Sequence, residues 1–139
     1  MMAHILVIED EPHIRFLICK ILEVAGHTTD QAGDGLEGLH MLHTQSRPYS
    51  LVVADYQMPK MDGFRLLDIV KRQPFSVPVI ILTAHRNLCA SAVERGASGG
   101  LSKPINRKQL VDLVNRLVAP ESVAILETLP SNRYAVAYK

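Results

Sequence analysis

The chain has 139 residues, 47% of them hydrophobic, with 15 basic and 14 acidic side chains and a formal net charge of +1. That length and apolar content fit one domain with a single core. The balanced charge argues against nucleic acid and against an anionic membrane surface as partners.

The cysteines and the N-terminus bear on the compartment in which the protein works. Cys19 and Cys89 have no second cysteine or histidine at zinc-ligand spacing, so we expect reduced thiols. The first four residues contain no basic region, and the apolar run over residues 5–8 is too short for a signal peptide or a membrane span. We therefore expect a cytoplasmic protein.

Apolar runs of strand length alternate with stretches of helical periodicity, which is typical of βα units on a parallel sheet. Strands are predicted at residues 4–8, 27–31, 51–54, 77–82 and 99–102. Three of these runs are almost entirely apolar, as expected for strands that are covered on both faces. The pattern predicts an α/β fold with an open, doubly wound parallel sheet.

A helix is predicted after each strand. In helix one, apolar residues recur at helical spacing and Gly26 follows them as a stop signal. The apolar residues of helix one are Ile14, Leu17, Ile18, Ile21 and Leu22. Helix three is expected over residues 62–72, before Pro74, and helix four over residues 88–95, where the apolar residues are small or modest.

Capping signals mark the start of two further helices. Asp34 is followed three residues later by Glu37, and Asn106 is followed by Gln109. A short polar side chain with Glu or Gln three residues later is the pattern of a capping box. These pairs therefore predict the starts of helices two and five.

Polar side chains follow four of the five predicted strands. Strand one leads into Glu9 and Asp10, strand three into Asp55, strand four into Thr83 and strand five into Lys103. The carboxyl ends of parallel strands meet at one edge of a doubly wound sheet, which is where such folds bind ligands. We expect these side chains to form one site.

The carboxylates at this edge predict a metal ion. Three carboxylates that converge repel one another and raise at least one pKa unless a cation joins them. Magnesium is the best match, because it needs few carboxylates and leaves room for water and phosphoryl oxygens. We expect Asp10 and Asp55 as direct ligands, Glu9 through water, and the backbone carbonyl of Gln57.

Lys103 and Thr83 add a cation and a hydroxyl that a metal site does not require. Both groups suit a phosphoryl group, because an aspartate can attack phosphorus while a metal, an ammonium and a hydroxyl neutralise the transferring oxygens. Asp55 is the expected nucleophile, since it follows the central strand.

Four segments resemble the signatures of response-regulator receiver domains, the phosphoacceptor modules of two-component and phosphorelay signalling. The segments are residues 5–11, residues 55–63, Thr83-Ala84 and Lys103-Pro104, and the match runs from residue 3 to about residue 118. The resemblance implies a flavodoxin-like (βα)5 fold with strand order 2-1-3-4-5 and a cis Lys103-Pro104 bond. It also implies that Asp55 is phosphorylated by a histidine kinase or histidine phosphotransfer protein, and that the phosphoprotein then binds a downstream protein target differently.

The sequence departs from this family at Gly100, where receiver domains usually carry an aromatic residue that turns inward on activation. The stretch from Thr83 to Lys103 is also a residue or two shorter than usual, so we expect weakened output through the face formed by helix four, strand five and helix five. Two other functions are compatible with this fold class but lack a residue pattern that they need. An aspartate-dependent phosphatase would need a second acid where Gln57 stands, and a flavin module would need a phosphate-binding loop where the acidic residues 9–11 stand.

The predicted receiver domain covers residues 1–118, and residues 119–139 form a C-terminal extension. The extension is too short for an effector domain, so we expect a stand-alone receiver with no enzymatic activity beyond its own phosphorylation and dephosphorylation. Residues 120–129 have the pattern of a short helix, and Tyr134, Val136 and Tyr138 alternate as in a strand, with an irregular terminus as the alternative. The sequence leaves open whether the protein forms a homodimer.

Overall fold

A computed structural model describes residues 2–74 and 76–119. Its five strands are β1 (His4–Ile8), β2 (Thr28–Ala32), β3 (Leu51–Asp55), β4 (Val79–Thr83) and β5 (Gly99–Ser102). They form one sheet in the order β2-β1-β3-β4-β5, and every neighbouring pair is parallel. The predicted fold class, a flavodoxin-like (βα)5 sheet, is therefore confirmed.

The strand boundaries differ from the predicted ones by a few residues, for identifiable reasons. Strand β4 begins at Val79 because Pro78 has no N–H group to donate to the sheet. Strand β2 begins after His27, whose buried ring accepts a hydrogen bond from the Ala3 amide through Nδ1 and contacts Asn115 Oδ1 through Nε2.

Five helices alternate with the strands. They are α1 (Pro12–Val24), α2 (Gly35–Thr44), α3 (Gly63–Lys71), α4 (Leu88–Glu94) and α5 (Arg107–Val118). The predicted caps are present: Asp34 Oδ1 accepts from the Glu37 amide at 2.8 Å, and Asn106 Oδ1 accepts from the Gln109 amide at 3.0 Å. Helix α4 is short, and its first turn has no side-chain cap.

Two apolar layers cover the sheet, one on each face. Helices α1 and α5 pack on one face through residues such as Leu22 and Leu113, while α2, α3 and α4 pack on the other through residues such as Leu42 and Leu67. Helix one is confirmed, and Ile18, Ile21 and Leu22 of its apolar set are buried, whereas Leu17 is 47% exposed. The α1 surface that meets the sheet is therefore narrower than the set of apolar residues at helical spacing.

The C-terminal extension cannot be compared with these predictions. The helical pattern at residues 120–129 and the alternating pattern at Tyr134, Val136 and Tyr138 lie outside the described residues. In the part of the chain that the structure describes, no helix is long and apolar enough to span a membrane.

Candidate phosphorylation site

The carboxyl ends of four of the five strands, all except β2, border one cleft with a volume of about 340 Å³. Strand β3 ends at Asp55, β4 ends at Thr83, and Lys103 directly follows β5. Glu9 and Asp10 follow β1 at the same edge. The sheet topology thus brings together the side chains that the sequence placed at separate strand ends.

Lys103 lies between two buried carboxylates. Its Nζ is 2.8 Å from Asp55 Oδ1 and 3.0 Å from Glu9 Oε1. Burial by itself lowers the pKa of Lys103, but the hydrogen bonds to Asp55 and Glu9 outweigh burial, so the pKa is raised above its ordinary value. The ammonium therefore remains charged at neutral pH and compensates for charge that is held away from water.

The three carboxylates still crowd one another. Oxygen atoms of Glu9, Asp10 and Asp55 lie within 4.8 Å of one another. Burial raises the pKa of Asp55 despite the opposing effect of Lys103, and burial together with the neighbouring Asp10 raises the pKa of Glu9. One ammonium does not balance this negative charge.

This donor set fits a hard divalent cation. Glu9 and Asp55 are 1% and 4% exposed, whereas Asp10 is exposed at the rim of the cleft and Gln57 borders the same space. Mg²⁺ prefers a few carboxylate oxygens together with several waters. The two buried carboxylates supply oxygen ligands and the exposed side of the cleft at Asp10 admits water, so Glu9, Asp10 and Asp55 could hold the ion.

Thr83 supplies the hydroxyl on the other side of the cleft. Its side chain is 1% exposed, and its Oγ1 accepts a hydrogen bond of 3.0 Å from the backbone amide of His85. The hydroxyl hydrogen remains available for a further acceptor. Thr83 thus joins the cleft to the loop between β4 and α4.

Backbone contacts hold the strand ends in place. The Tyr56 amide donates to the Leu82 carbonyl at 2.7 Å, and the Lys103 amide donates to the Thr83 carbonyl at 2.7 Å. Gly63 begins α3 so close to Asp55 that a Cβ there would lie 2.6 Å from the Asp55 carbonyl oxygen. Only glycine fits this contact, which explains the glycine at the end of the Asp55 motif. The Lys103-Pro104 bond is cis, as the resemblance implied.

One residue that contacts the turn after β1 was missed by the sequence reasoning. Arg15 in α1 donates from Nη1 to the carbonyl oxygen of Glu9 at 2.8 Å. Its position in the helix after the acidic turn was the available signal, but helical periodicity alone does not say where an arginine side chain points.

The comparisons with known proteins agree with this geometry. The family model of the response regulator receiver domain matches residues 5–115. The chain belongs to this family. As a receiver domain, it is a phosphoacceptor of two-component signalling.

Some curated relatives are regulators that are much longer than the segment they share with this chain. The chain is 38% identical over 120 residues to the nitrogen assimilation regulatory protein NtrX of Azorhizobium caulinodans. The matched segment covers 83% of this chain and 26% of the relative. The chain is also 36% identical over 115 residues to the DNA-binding transcriptional regulator NtrC of Escherichia coli K12, covering 81% of this chain and 24% of the relative. The receiver therefore spans about a quarter of the length of these curated relatives.

Solved receiver structures match over nearly their whole length. A response regulator receiver domain protein from Clostridium thermocellum shares 31% identity with a TM-score of 0.80, covering 88% of this chain and 98% of that one. The chemotaxis response regulator CheY4 of Vibrio cholerae shares 30% identity with a TM-score of 0.72, and the match covers 84% of this chain and 99% of that one.

Proposed function

We propose that Asp55 is the phosphoacceptor of this receiver and takes its phosphoryl group from a phosphohistidine on a histidine kinase or phosphotransfer protein. The observation that carries the proposal is the position of Lys103, whose Nζ touches Asp55 Oδ1 inside a cleft that also holds Thr83 and an acidic cluster. Each of these groups has a separate use in phosphoryl transfer.

The chemical step is a displacement at phosphorus. An Asp55 carboxylate oxygen attacks, a P–O bond forms as the P–N bond to the donor imidazole breaks, and the departing ring nitrogen keeps the electron pair. Lys103 compensates the charge of the phosphoryl oxygens, and the Thr83 hydroxyl donates a hydrogen bond to one of them. Both groups are already at the cleft, so little rearrangement precedes transfer.

The acidic cluster would hold Mg²⁺ for this step. Asp10 and Asp55 would bind the ion directly, with the Gln57 backbone carbonyl, while Glu9 would act through water because Lys103 already occupies one of its oxygens. When bound, the ion supplies positive charge to the transferring oxygens.

The proposed chemistry is limited to formation and hydrolysis of the acyl phosphate on the protein itself. A phosphatase acting on other substrates would need an acid two residues after the nucleophile to protonate a leaving group. That residue is Gln57, and an amide cannot serve as this acid. The output is an altered affinity for a partner protein.

The surface beside the cleft suits a protein donor. Phe16 and Leu17 on α1 are 56% and 47% exposed, and Ile14 of the same helix borders the cleft. Neighbouring exposed apolar side chains can form a contact patch for another protein. A phosphohistidine that reaches Asp55 would bring its own domain against this part of α1.

Labelling with a small phosphodonor tests the assigned nucleophile. We expect acetyl phosphate and Mg²⁺ to add one phosphoryl group, seen by intact mass, and hydroxylamine to remove it, as it cleaves acyl phosphates. Asp55→Asn should abolish labelling, because an amide oxygen is a poor nucleophile. Asp112→Asn is the matched control, because this carboxylate lies on α5, pairs with Lys108 and does not border the cleft, and it should label as the unchanged protein does. Undiminished labelling of Asp55→Asn would contradict the proposal.

A further inference from the structure

Arg15 connects the acidic turn after β1 to the end of β2. Its Nη1 donates to the Glu9 carbonyl oxygen at 2.8 Å, and its Nε donates to Gln31 Oε1 at 3.0 Å. The side chain is only half exposed, and Nη1 also lies 3.6 Å from the position that a Cβ on Gly33 would occupy. The guanidinium is therefore held between α1, the β1–α1 turn and the β2–α2 turn.

The carbonyl that Arg15 binds belongs to the peptide between Glu9 and Asp10. On the other side of Glu9, the backbone amide donates to the Ala32 carbonyl at 3.1 Å. The Glu9 carboxylate is also fixed, because Lys103 contacts Oε1 at 3.0 Å and the Glu11 amide contacts Oε2 at 3.2 Å. Arg15 thus supplies the hydrogen bond that fixes the peptide plane leading into Asp10.

We infer that Arg15 is a positioning residue for the metal site. It sets the direction of Asp10 through the Glu9 carbonyl and does not touch the ion, the phosphoryl group or Asp55. This inference rests on the proposed function, since it assumes that the acidic cluster binds Mg²⁺. Residues that orient metal ligands from outside commonly change metal affinity about tenfold or more when they are replaced.

The hydrogen bond from Arg15 favours Mg²⁺ binding by positioning Asp10, whereas the positive charge of Arg15 opposes it. A guanidinium close to a metal site repels the ion, and salt screens that repulsion over a Debye length of about 10 Å at 0.1 M ionic strength. Removing the charge alone would therefore strengthen Mg²⁺ binding, most of all at low salt. Removing the hydrogen bond to Glu9 while keeping the charge would weaken Mg²⁺ binding at every ionic strength.

Two substitutions change the hydrogen-bond geometry of Arg15 while they keep the positive charge at this position. Arg15→Lys keeps the charge but loses the planar fork that reaches Glu9 and Gln31 together. We expect it to weaken Mg²⁺ binding about tenfold at both low and high salt. Gln31→Ala keeps Arg15 and its charge but removes its second support, so we expect a smaller loss in the same direction.

The experiment is a calorimetric Mg²⁺ titration of the full chain and both variants at two ionic strengths. Thermal unfolding and hydrogen exchange of residues 9–11 are followed in parallel. We expect faster exchange in this turn and an acetyl phosphate labelling rate that returns to that of the unchanged protein at saturating Mg²⁺. A purely structural role would lower thermal stability and leave the Mg²⁺ affinity of the folded protein unchanged.

The possible failures are distinguishable. If the unchanged protein does not bind Mg²⁺, the proposed function fails. If it binds Mg²⁺ and Arg15→Lys binds equally well, the positioning role is wrong. If Arg15→Lys does not fold, the exposed Gln31→Ala decides the question, and an unchanged affinity there overturns the inference.

Discussion

Gly100 in β5 packs directly against the backbone of Cys89 in α4. A Cβ at Gly100 would lie 2.7 Å from the Cys89 carbonyl oxygen and 2.8 Å from its Cα. Backbone atoms cannot relieve such a contact by a change of rotamer, as the end of a flexible side chain can. Helix α4 therefore lies too close to the sheet for the aromatic residue that receiver domains usually carry at this position.

The first prediction is that Gly100→Ala destabilises the protein by about 2 kcal/mol or more, because the methyl group must push α4 away from β5. Gly99→Ala is the matched control. Its Cβ would meet the Leu113 side chain at 2.6 Å, and a leucine end can change rotamer, so we expect a cost of about 1 kcal/mol.

Urea unfolding measures this difference. Both substitutions reduce the conformational freedom of the unfolded chain by the same amount, so that effect cancels in the comparison. Equal costs for the two variants would show that α4 adjusts to a side chain at position 100.

The second prediction separates the metal ligands. In the proposed site Glu9 acts through water and Asp10 binds the ion directly. Glu9→Gln should then weaken Mg²⁺ binding about tenfold, because glutamine can still accept the hydrogen bond from Lys103. Asp10→Asn should weaken it further, because it removes a charged direct ligand. The measurement is a Mg²⁺ titration of both variants, and equal losses would contradict this division of roles.

The third prediction concerns pH in the presence of a chelator. Burial raises the pKa of Asp55 above 3.8 and, with the neighbouring Asp10, the pKa of Glu9 above 4.5. An acid with a raised pKa in the folded state contributes stability that is present below its ordinary pKa and is lost as pH rises through the raised value. These two groups should therefore stabilise the protein as pH falls from neutral toward 4.5.

The comparison with Asp55→Asn isolates this effect from other carboxylates. The free energy of unfolding of the unchanged protein, relative to that of Asp55→Asn, should increase as pH falls through this window. Saturating Mg²⁺ should remove the trend near neutral pH, because the ion favours the ionised carboxylates. A relative stability that does not change with pH would contradict the raised pKa of Asp55.

Much of the fold and site could be predicted because the relevant signals are local in sequence. Asp55, Thr83 and Lys103 each end or follow a strand run, and parallel strands bring their carboxyl ends to one edge. The contacts of Arg15 and Gly100 could not be predicted in this way. They depend on how closely α1 and α4 approach the sheet, and a hydrophobic pattern does not encode that distance.

The last prediction concerns the response to phosphorylation. Both ends of α4 are held, but differently. Near its start, Gly100 contacts the Cys89 backbone, and after its end Arg95 lies 4.6 Å from the Phe64 ring centroid and 3.7 Å from Asp68. The loop before α4 provides no side-chain cap for the helix, and its His85 amide is bound to the Thr83 hydroxyl in the cleft. We therefore expect movement in the loop and little movement of the helix.

Thr83 couples the cleft to this loop, because its Oγ1 accepts the His85 amide at 3.0 Å. When the hydroxyl turns toward a phosphoryl oxygen, that hydrogen bond must change. Hydrogen exchange with and without beryllium fluoride, a stable phosphoryl mimic, should differ mainly in the loop at residues 84–87 and at the His85 amide above all. Thr83→Ala should remove the difference at His85 while leaving the mimic bound through Asp55. A modification shifts a conformational equilibrium only by its differential interaction with two states, so broad changes across β5 and α5 would show that a second state of α4 exists despite Gly100.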